Sequence, residues 1–222
     1  MKLERSSLIF LIGSIAFLPF SNGRWMEAWA GFLGPLFLLF LIRSIPGKKG
    51  ILIGYIVLVS TSCLSWISVN KVVSGPLIFF GALLAGIVFF IPYLFDRVAR
   101  PLNDNSFLST FYFPISWVAM DALFSLLIAD QGSIAYSQFD NLPLLQLSSI
   151  TGMTGITFVI AWTASTASWL YENKFRWRQL FRVANVFIGV VGSVFAFGFW
   201  RISSTSFGEQ VYVLIYKCPA FR

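Results

Sequence analysis

Few side chains in this 222-residue chain could carry catalytic or metal chemistry. The sequence contains no histidine and two cysteines, Cys63 and Cys218. Histidine-based triads, histidine-ligated zinc and four-thiolate metal sites are therefore excluded. Cys218 lies in a Lys-Cys-Pro sequence with no recognisable base nearby, and no glycine-rich phosphate loop occurs. The residues by themselves predict no catalytic centre, no cofactor-binding residues and no metal site.

Asp121 is the unusual carboxylate because it interrupts an apolar stretch, ten residues after Phe111. Ten helical residues rise about 15 Å, which places this side chain near the middle of a bilayer. An ionised carboxylate there costs roughly 2.5–3.5 kcal/mol, so it must face protein or water, or be protonated. Trp117 and Ser125 lie on the same helix face. Two interpretations stay open: a polar contact lining a lipid or substrate cavity, and an interhelical hydrogen bond that fixes packing.

The stretches around this residue are apolar enough to be membrane helices. Hydrophobic residues make up 57% of the chain and charged residues 11%, against roughly 25% charged in a soluble domain. A bilayer core of about 30 Å needs about 20 apolar helical residues. We therefore expect an all-α integral membrane protein, a bundle of about seven transmembrane helices. The predicted spans cover residues 8–20, 28–42, 51–69, 77–94, 111–129, 150–171 and 183–200.

Small residues recur at helical spacing in two of these spans. Gly81/Ala85 and Ala82/Gly86 lie in the fourth, and the seventh has similar pairs at 189/193 and 192/196. Small surfaces let helix backbones approach closely in lipid. We interpret them as packing surfaces and not as a substrate path.

The loop charges predict how the spans are oriented. Of the sixteen Lys and Arg residues, eleven flank one side of the predicted bundle and five flank the other. Positive residues concentrate in cytoplasmic loops, so we expect a cytoplasmic N-terminus and an extracytoplasmic C-terminus. The net charge of +7 is thereby explained by topology, and nucleic acid is not expected as a partner.

The chain divides into a multi-span domain, residues 1–200, and an extracytoplasmic tail, residues 201–222. Residues 211–216 are rich in β-branched and aromatic side chains, which predicts a strand. A lone strand outside the membrane would be an unpaired edge. We therefore expect a possible orphan β-strand at the C-terminus that begins a domain absent from the chain.

Residues 113–170 carry four short motifs in a characteristic order. This order resembles the membrane half of apolipoprotein N-acyltransferase and related membrane-anchored carbon–nitrogen hydrolases, with Asp121 where that family usually has Glu. Residues 18–20 and 65–67 resemble two further family segments. The motifs are Pro114-x-x-Trp117, Tyr136-Ser137-Gln138, Pro143-Leu144-x-Gln146 and Gly152-x-x-Gly155-x-x-Phe158.

The resemblance implies an inner-membrane protein of bacteria whose helices admit a phospholipid acyl donor and a lipoprotein. In that family a nitrilase-like domain with a Glu-Lys-Cys set catalyses the acyl transfer. We expect that this chain lacks that domain, since 209–216 resembles only its first strand, and no catalytic residue is carried over. The implied site is a lipid or substrate cleft. Its candidate residues are Trp117, Asp121, Tyr136, Gln138 and Gln146.

Two functional hypotheses follow from these observations. In the first, the chain is the truncated or split membrane domain of an N-acyltransferase-like protein, inactive alone. Its partners are then phospholipid and, in addition, a lipoprotein or a separate hydrolase-domain polypeptide. In the second, it is a stand-alone multi-span transporter or scaffold, with Asp121 on a solute or proton path. A degenerate remnant of such a membrane domain, with no retained function, would have the same sequence features as the first hypothesis.

Overall fold

The fold is entirely helical in the part of the chain that the structure, a computed structural model, describes. That part comprises residues 5–23, 25–67, 75–100, 107–128, 132–173 and 177–204, and it contains no strand. The strand expected at 211–216 lies outside the described residues. Short 3₁₀ segments occur at Leu18–Phe20, Phe107–Phe111 and Ile134–Gln138. The α-helices are α1 (Arg5–Phe17), α2 (Ala28–Ser44), α3 (Gly47–Ile67), α4 (Gly75–Ala99), α5 (Tyr112–Ile128), α6 (Leu142–Leu145), α7 (Ser148–Thr151), α8 (Met153–Glu172) and α9 (Trp177–Ser204).

Several of these helices are long and apolar enough to cross a bilayer. Among the described residues there are four such stretches, which correspond to the third, fourth, fifth and seventh predicted spans. α1 and α2 are apolar but shorter. α8 has 20 residues and is rich in serine and threonine. The all-α membrane fold is confirmed, and the number of seven spans stays a prediction. The four stretches are Gly47–Trp66, Gly75–Ala99, Phe107–Leu126 and Val183–Ser204.

α8 lies at the centre of the bundle, where it packs against α2 and α5. Its small residues Ala161, Ala164 and Ser165 are fully buried, so the neighbouring helices can approach its backbone closely. The sequence predicted one span over 150–171, whereas the structure breaks at Gly152, between α7 and α8. Gly152 has φ +68°, a conformation that favours glycine because a side chain there is strained.

The segment between α5 and α8 folds back onto the bundle. Its described part contains the 3₁₀ turn Ile134–Gln138, α6 and α7. The backbones of α6 and α9 meet, since a Cβ at Gly198 would collide with the carbonyl oxygen of Pro143. α9 runs beyond the predicted span 183–200 at both ends, and residues 205–222 lie outside the described part.

Charged side chains join three helices at one end of the bundle. Arg43 of α2 donates two hydrogen bonds to Asp96 of α4, Nε to Oδ2 at 2.9 Å and Nη2 to Oδ1 at 2.7 Å. Arg100, at the end of α4, pairs with Glu172 of α8 through Nη1 and Oε1 at 2.7 Å. These residues belong to the flanks that carry most of the positive charge. The C-terminal ends of α2, α4 and α8, which the charge count assigned to the same side of the membrane, therefore lie close together.

Candidate functional site

A cavity of about 480 Å³ opens between α3, α4 and α5. Residues 18–22 and Pro35 of α2 form one side of it, and Gly132 and Ile134 form another. α4 contributes lining residues from Leu77 to Tyr93. This stretch corresponds to ~24 Å along the helix axis at 1.5 Å per residue. The cavity is therefore long and narrow, parallel to the helices that form it.

The two long walls of the cavity differ in chemistry. α3 contributes hydroxyl side chains at Thr61, Ser62 and Ser65. The Thr61 hydroxyl donates to the Val57 carbonyl at 2.7 Å, and the Ser65 hydroxyl lies 3.1 Å from the Pro19 carbonyl oxygen. The opposite wall, formed by α4, is mainly apolar and combines large residues with the small residues Gly81, Ala82, Ala85 and Gly86.

Exposed residues of α4 mark the mouth of this cavity. Leu77 and Leu84 line it and are 63% and 66% exposed. A Cβ added at Gly81 would meet no atom within 4 Å, so this glycine borders open space. Gly86 is different, since its Cβ would lie 2.7 Å from Cγ2 of Val59. The small residues of α4 thus allow close packing against α3 at one point and leave space beside it at another.

Asp121 lies in a polar contact at the junction of α5, α8 and the segment that follows α5. Its Oδ2 accepts hydrogen bonds from the hydroxyls of Ser133, at 2.7 Å, and Thr157, at 2.8 Å. The side chain is 8% exposed and is not part of the cavity lining. The bond from Thr157 joins α8 to α5, which is the kind of interhelical contact that the second of the two interpretations above describes. Contact of Asp121 with lipid stays a prediction.

The other candidate residues occupy different places. Trp117 lines the cavity and packs against Tyr93, with ring centroids 5.6 Å apart. Gln138 is fully buried, and its amide donates to the carbonyl of Ala28 at 2.8 Å. Tyr136 is 38% exposed. Gln146 is half-buried, and its backbone N–H bonds to carbonyls at the end of α6.

The structure therefore brings Trp117 to the cavity and places the remaining four candidates outside its lining. Their joint role in one cleft stays a prediction. Sequence reasoning missed the α3 and α4 walls. The sequence feature that corresponds to the α4 wall is the small-residue pairs Gly81/Ala85 and Ala82/Gly86, which the sequence by itself indicates only as packing surfaces. No sequence pattern predicted that the hydroxyl residues of α3 line the same cavity.

The described residues form an all-helical bundle with an elongated, largely apolar cavity between α3, α4 and α5, which is the architecture of a polytopic membrane protein. The family model described as the apolipoprotein N-acyltransferase N-terminal domain matches residues 11–166, and the chain belongs to this family. The match covers the cavity and the Asp121 contact and ends within α8. No curated protein and no solved structure matches the chain significantly. The resemblance that the motifs of residues 113–170 indicated is thereby confirmed for the membrane domain.

Proposed function

We propose that the chain binds a phospholipid with one acyl chain in the cavity between α3 and α4, as the lipid-holding part of a lipoprotein N-acyltransferase. The cavity carries this proposal. Its volume of about 480 Å³ falls within the ~300–1,000 Å³ of small-molecule sites, and its walls are mainly apolar. A site of this size beside exposed helix faces is reached from the hydrocarbon of the bilayer without passage through water.

The distribution of polar groups suggests how the phospholipid is oriented. Asn22 and Gly132 both line the cavity, and Asn22 Nδ2 donates to the Gly132 carbonyl at 2.9 Å. The α3 hydroxyls lie in the last two turns of α3 and Tyr93 lies in the last two turns of α4. Because these neighbouring helices are antiparallel, the hydroxyls and Tyr93 lie at opposite ends of the cavity. We propose that the ester groups lie at the polar end, which the loop charges predict to be extracytoplasmic, in the inner membrane of bacteria.

The reaction that the resemblance implies uses a cysteine thiolate as the nucleophile. Among the described residues the cysteine is Cys63, which does not line the cavity. We propose that the chain alone is inactive and that a separate hydrolase-domain polypeptide, which also engages the lipoprotein, supplies the nucleophile. The purified chain should then fail to acylate a diacylated lipoprotein peptide from a phospholipid donor. Measurable turnover would contradict this part of the proposal.

A matched pair of glycine variants tests lipid binding in the cavity. Gly81→Phe places a ring in the open space of the cavity, whereas Gly189→Phe places the same ring on α9, away from it. Neither glycine has an atom within 4 Å of its added Cβ, so both changes should be tolerated by the fold. We expect Gly81→Phe to weaken labelling by a photoactivatable phospholipid about tenfold, equivalent to about 1.4 kcal/mol of binding.

The Gly189→Phe variant should label as the parent chain does, in the same detergent and at the same lipid concentration. Mapping of the label by mass spectrometry should find it on α3 or α4. Equal labelling of the two variants, or a label confined to α9, would reject the cavity as the lipid site.

A further inference from the structure

The two ends of α4 are held very differently. At its C-terminal end, Asp96 is 1% exposed at its side chain and is bonded twice by Arg43. Arg97 reaches back to α2 and the α2–α3 connection, and its Nη2 donates to the carbonyls of Ile45, at 2.9 Å, and Gly47, at 3.2 Å. With the Arg100–Glu172 pair, this charged clamp ties the last turn of α4 to α2 and α8.

The N-terminal half of α4 is largely uncovered. Leu77, Phe80 and Leu84 are 60–66% exposed, and this half forms the mouth of the cavity. It contacts α3 at Gly86, whose Cβ would touch the side chain of Val59, and at Leu83, whose carbonyl accepts a hydrogen bond from the Tyr55 hydroxyl at 3.0 Å. This half contains no charged residue, so it has no ion pair of the kind that holds the clamped half.

Pro92 lies between these two halves, inside α4. Proline has no backbone N–H, so the carbonyl of Val88 loses the helical hydrogen bond that residue 92 would donate. Sharp bends in helices occur mainly at such positions. The helix is thus weakened at the turn between the charged clamp and most of the cavity wall, since Tyr93 is the one α4 lining residue that follows Pro92.

We propose that α4 is a gate hinged at Pro92. The half from Gly75 to Ile91 swings away from α3 to admit lipid through the membrane, while the clamp holds the last turn in place. This inference rests on the proposed function, because it takes the cavity to be the lipid site. Exchange of the bound lipid then requires separation of α3 and α4 at Val59 and Gly86, and opening of the Tyr55–Leu83 hydrogen bond.

A disulfide across the gate tests this motion. The Cβ of Val59 and the Cβ that Gly86 lacks would lie 3.9 Å apart, within the ~3.5–4.5 Å that disulfides adopt. The double variant Val59→Cys/Gly86→Cys is made with Cys63→Ser and Cys218→Ser, and the release of pre-bound photoactivatable phospholipid into excess vesicles is timed. We expect release from the oxidised protein to be slower by at least ~tenfold, and reduction with dithiothreitol to restore it.

A pair of proline variants supplies an independent measurement on the uncrosslinked chain. Pro92→Ala restores a backbone donor in α4 and should also slow lipid release. Pro114→Ala makes the same substitution in the first turn of α5, outside the cavity lining, and should leave the rate unchanged. Equal release from the oxidised and reduced protein would overturn the hinge, as would equal rates for the two proline variants. Absence of lipid binding in the parent chain would instead reject the proposed function, so the two failures are distinguishable.

Discussion

The Asp121 carboxylate is held by hydroxyls from two other parts of the chain, Ser133 and Thr157. A hydrogen bond to a charged group contributes about 1.5–3 kcal/mol, and a buried donor left without an acceptor is costly. We expect Asp121→Leu to lower the stability by about 2 kcal/mol or more, and Asp121→Asn, which keeps an acceptor oxygen, by about 1 kcal/mol. Thermal unfolding in detergent micelles, with Thr157→Val as the one-bond control, measures the difference.

The same residue separates the two functional hypotheses. If Asp121 serves a solute or proton path, Asp121→Asn abolishes transport in proteoliposomes while the protein stays folded. If it fixes packing, the loss of stability in Asp121→Leu is the main effect. Equal stability of Asp121→Leu and the parent chain would contradict the packing role. The sequence could place this carboxylate inside a helix, but not choose between these roles, because its partners are 12 and 36 residues away.

At the scale of helices, hydrophobic segments and charges located the long elements well. They did not predict α6, α7 or the turn at Ile134–Gln138, because short helices are stabilised by tertiary contacts more than by local sequence. The contact of α2 with that turn is an example. A Cβ at Gly31 would collide with the Ser137 hydroxyl, so the turn packs directly against the α2 backbone.

The buried pair Arg43–Asp96 is the element-scale contact that we expect to matter most for stability. Their side chains are 6% and 1% exposed, so removal of one partner leaves a charge in an apolar site. Arg43→Ala should destabilise the protein by about 3 kcal/mol, at the lower end of the values for buried pairs because Arg97 is adjacent. The double variant Arg43→Leu/Asp96→Leu should recover most of this loss, since no unpaired charge remains at that pair. Thermal unfolding of the three proteins measures both effects, and a double variant less stable than Arg43→Ala would contradict the argument.

At the scale of the whole molecule, composition was sufficient for the all-helical membrane fold, because an 11% charged fraction leaves few alternatives. The cavity could not be predicted in the same way. It depends on which faces of α3 and α4 meet, and on the difference between Gly81, beside open space, and Gly86, packed on Val59. Identical residue types five positions apart have opposite surroundings, which only the assembled bundle determines.

The loop charges predict how the whole molecule is oriented in the membrane. The contacts between helices show which ends lie together, but not which end is cytoplasmic. Arg43, Arg97 and Arg100 cluster at one end of the bundle, and Arg201 lies against Ser149 elsewhere. With Cys63→Ser, Cys218 is the remaining thiol, and we expect a membrane-impermeant maleimide to label it in intact spheroplasts. A control with Lys49→Cys, placed at an exposed position on the predicted cytoplasmic side, in a Cys63→Ser/Cys218→Ser background should react only after permeabilisation. The reverse pattern would invert the topology and move the polar end of the cavity to the cytoplasmic leaflet, where an acceptor lipoprotein on the outer surface could not reach it.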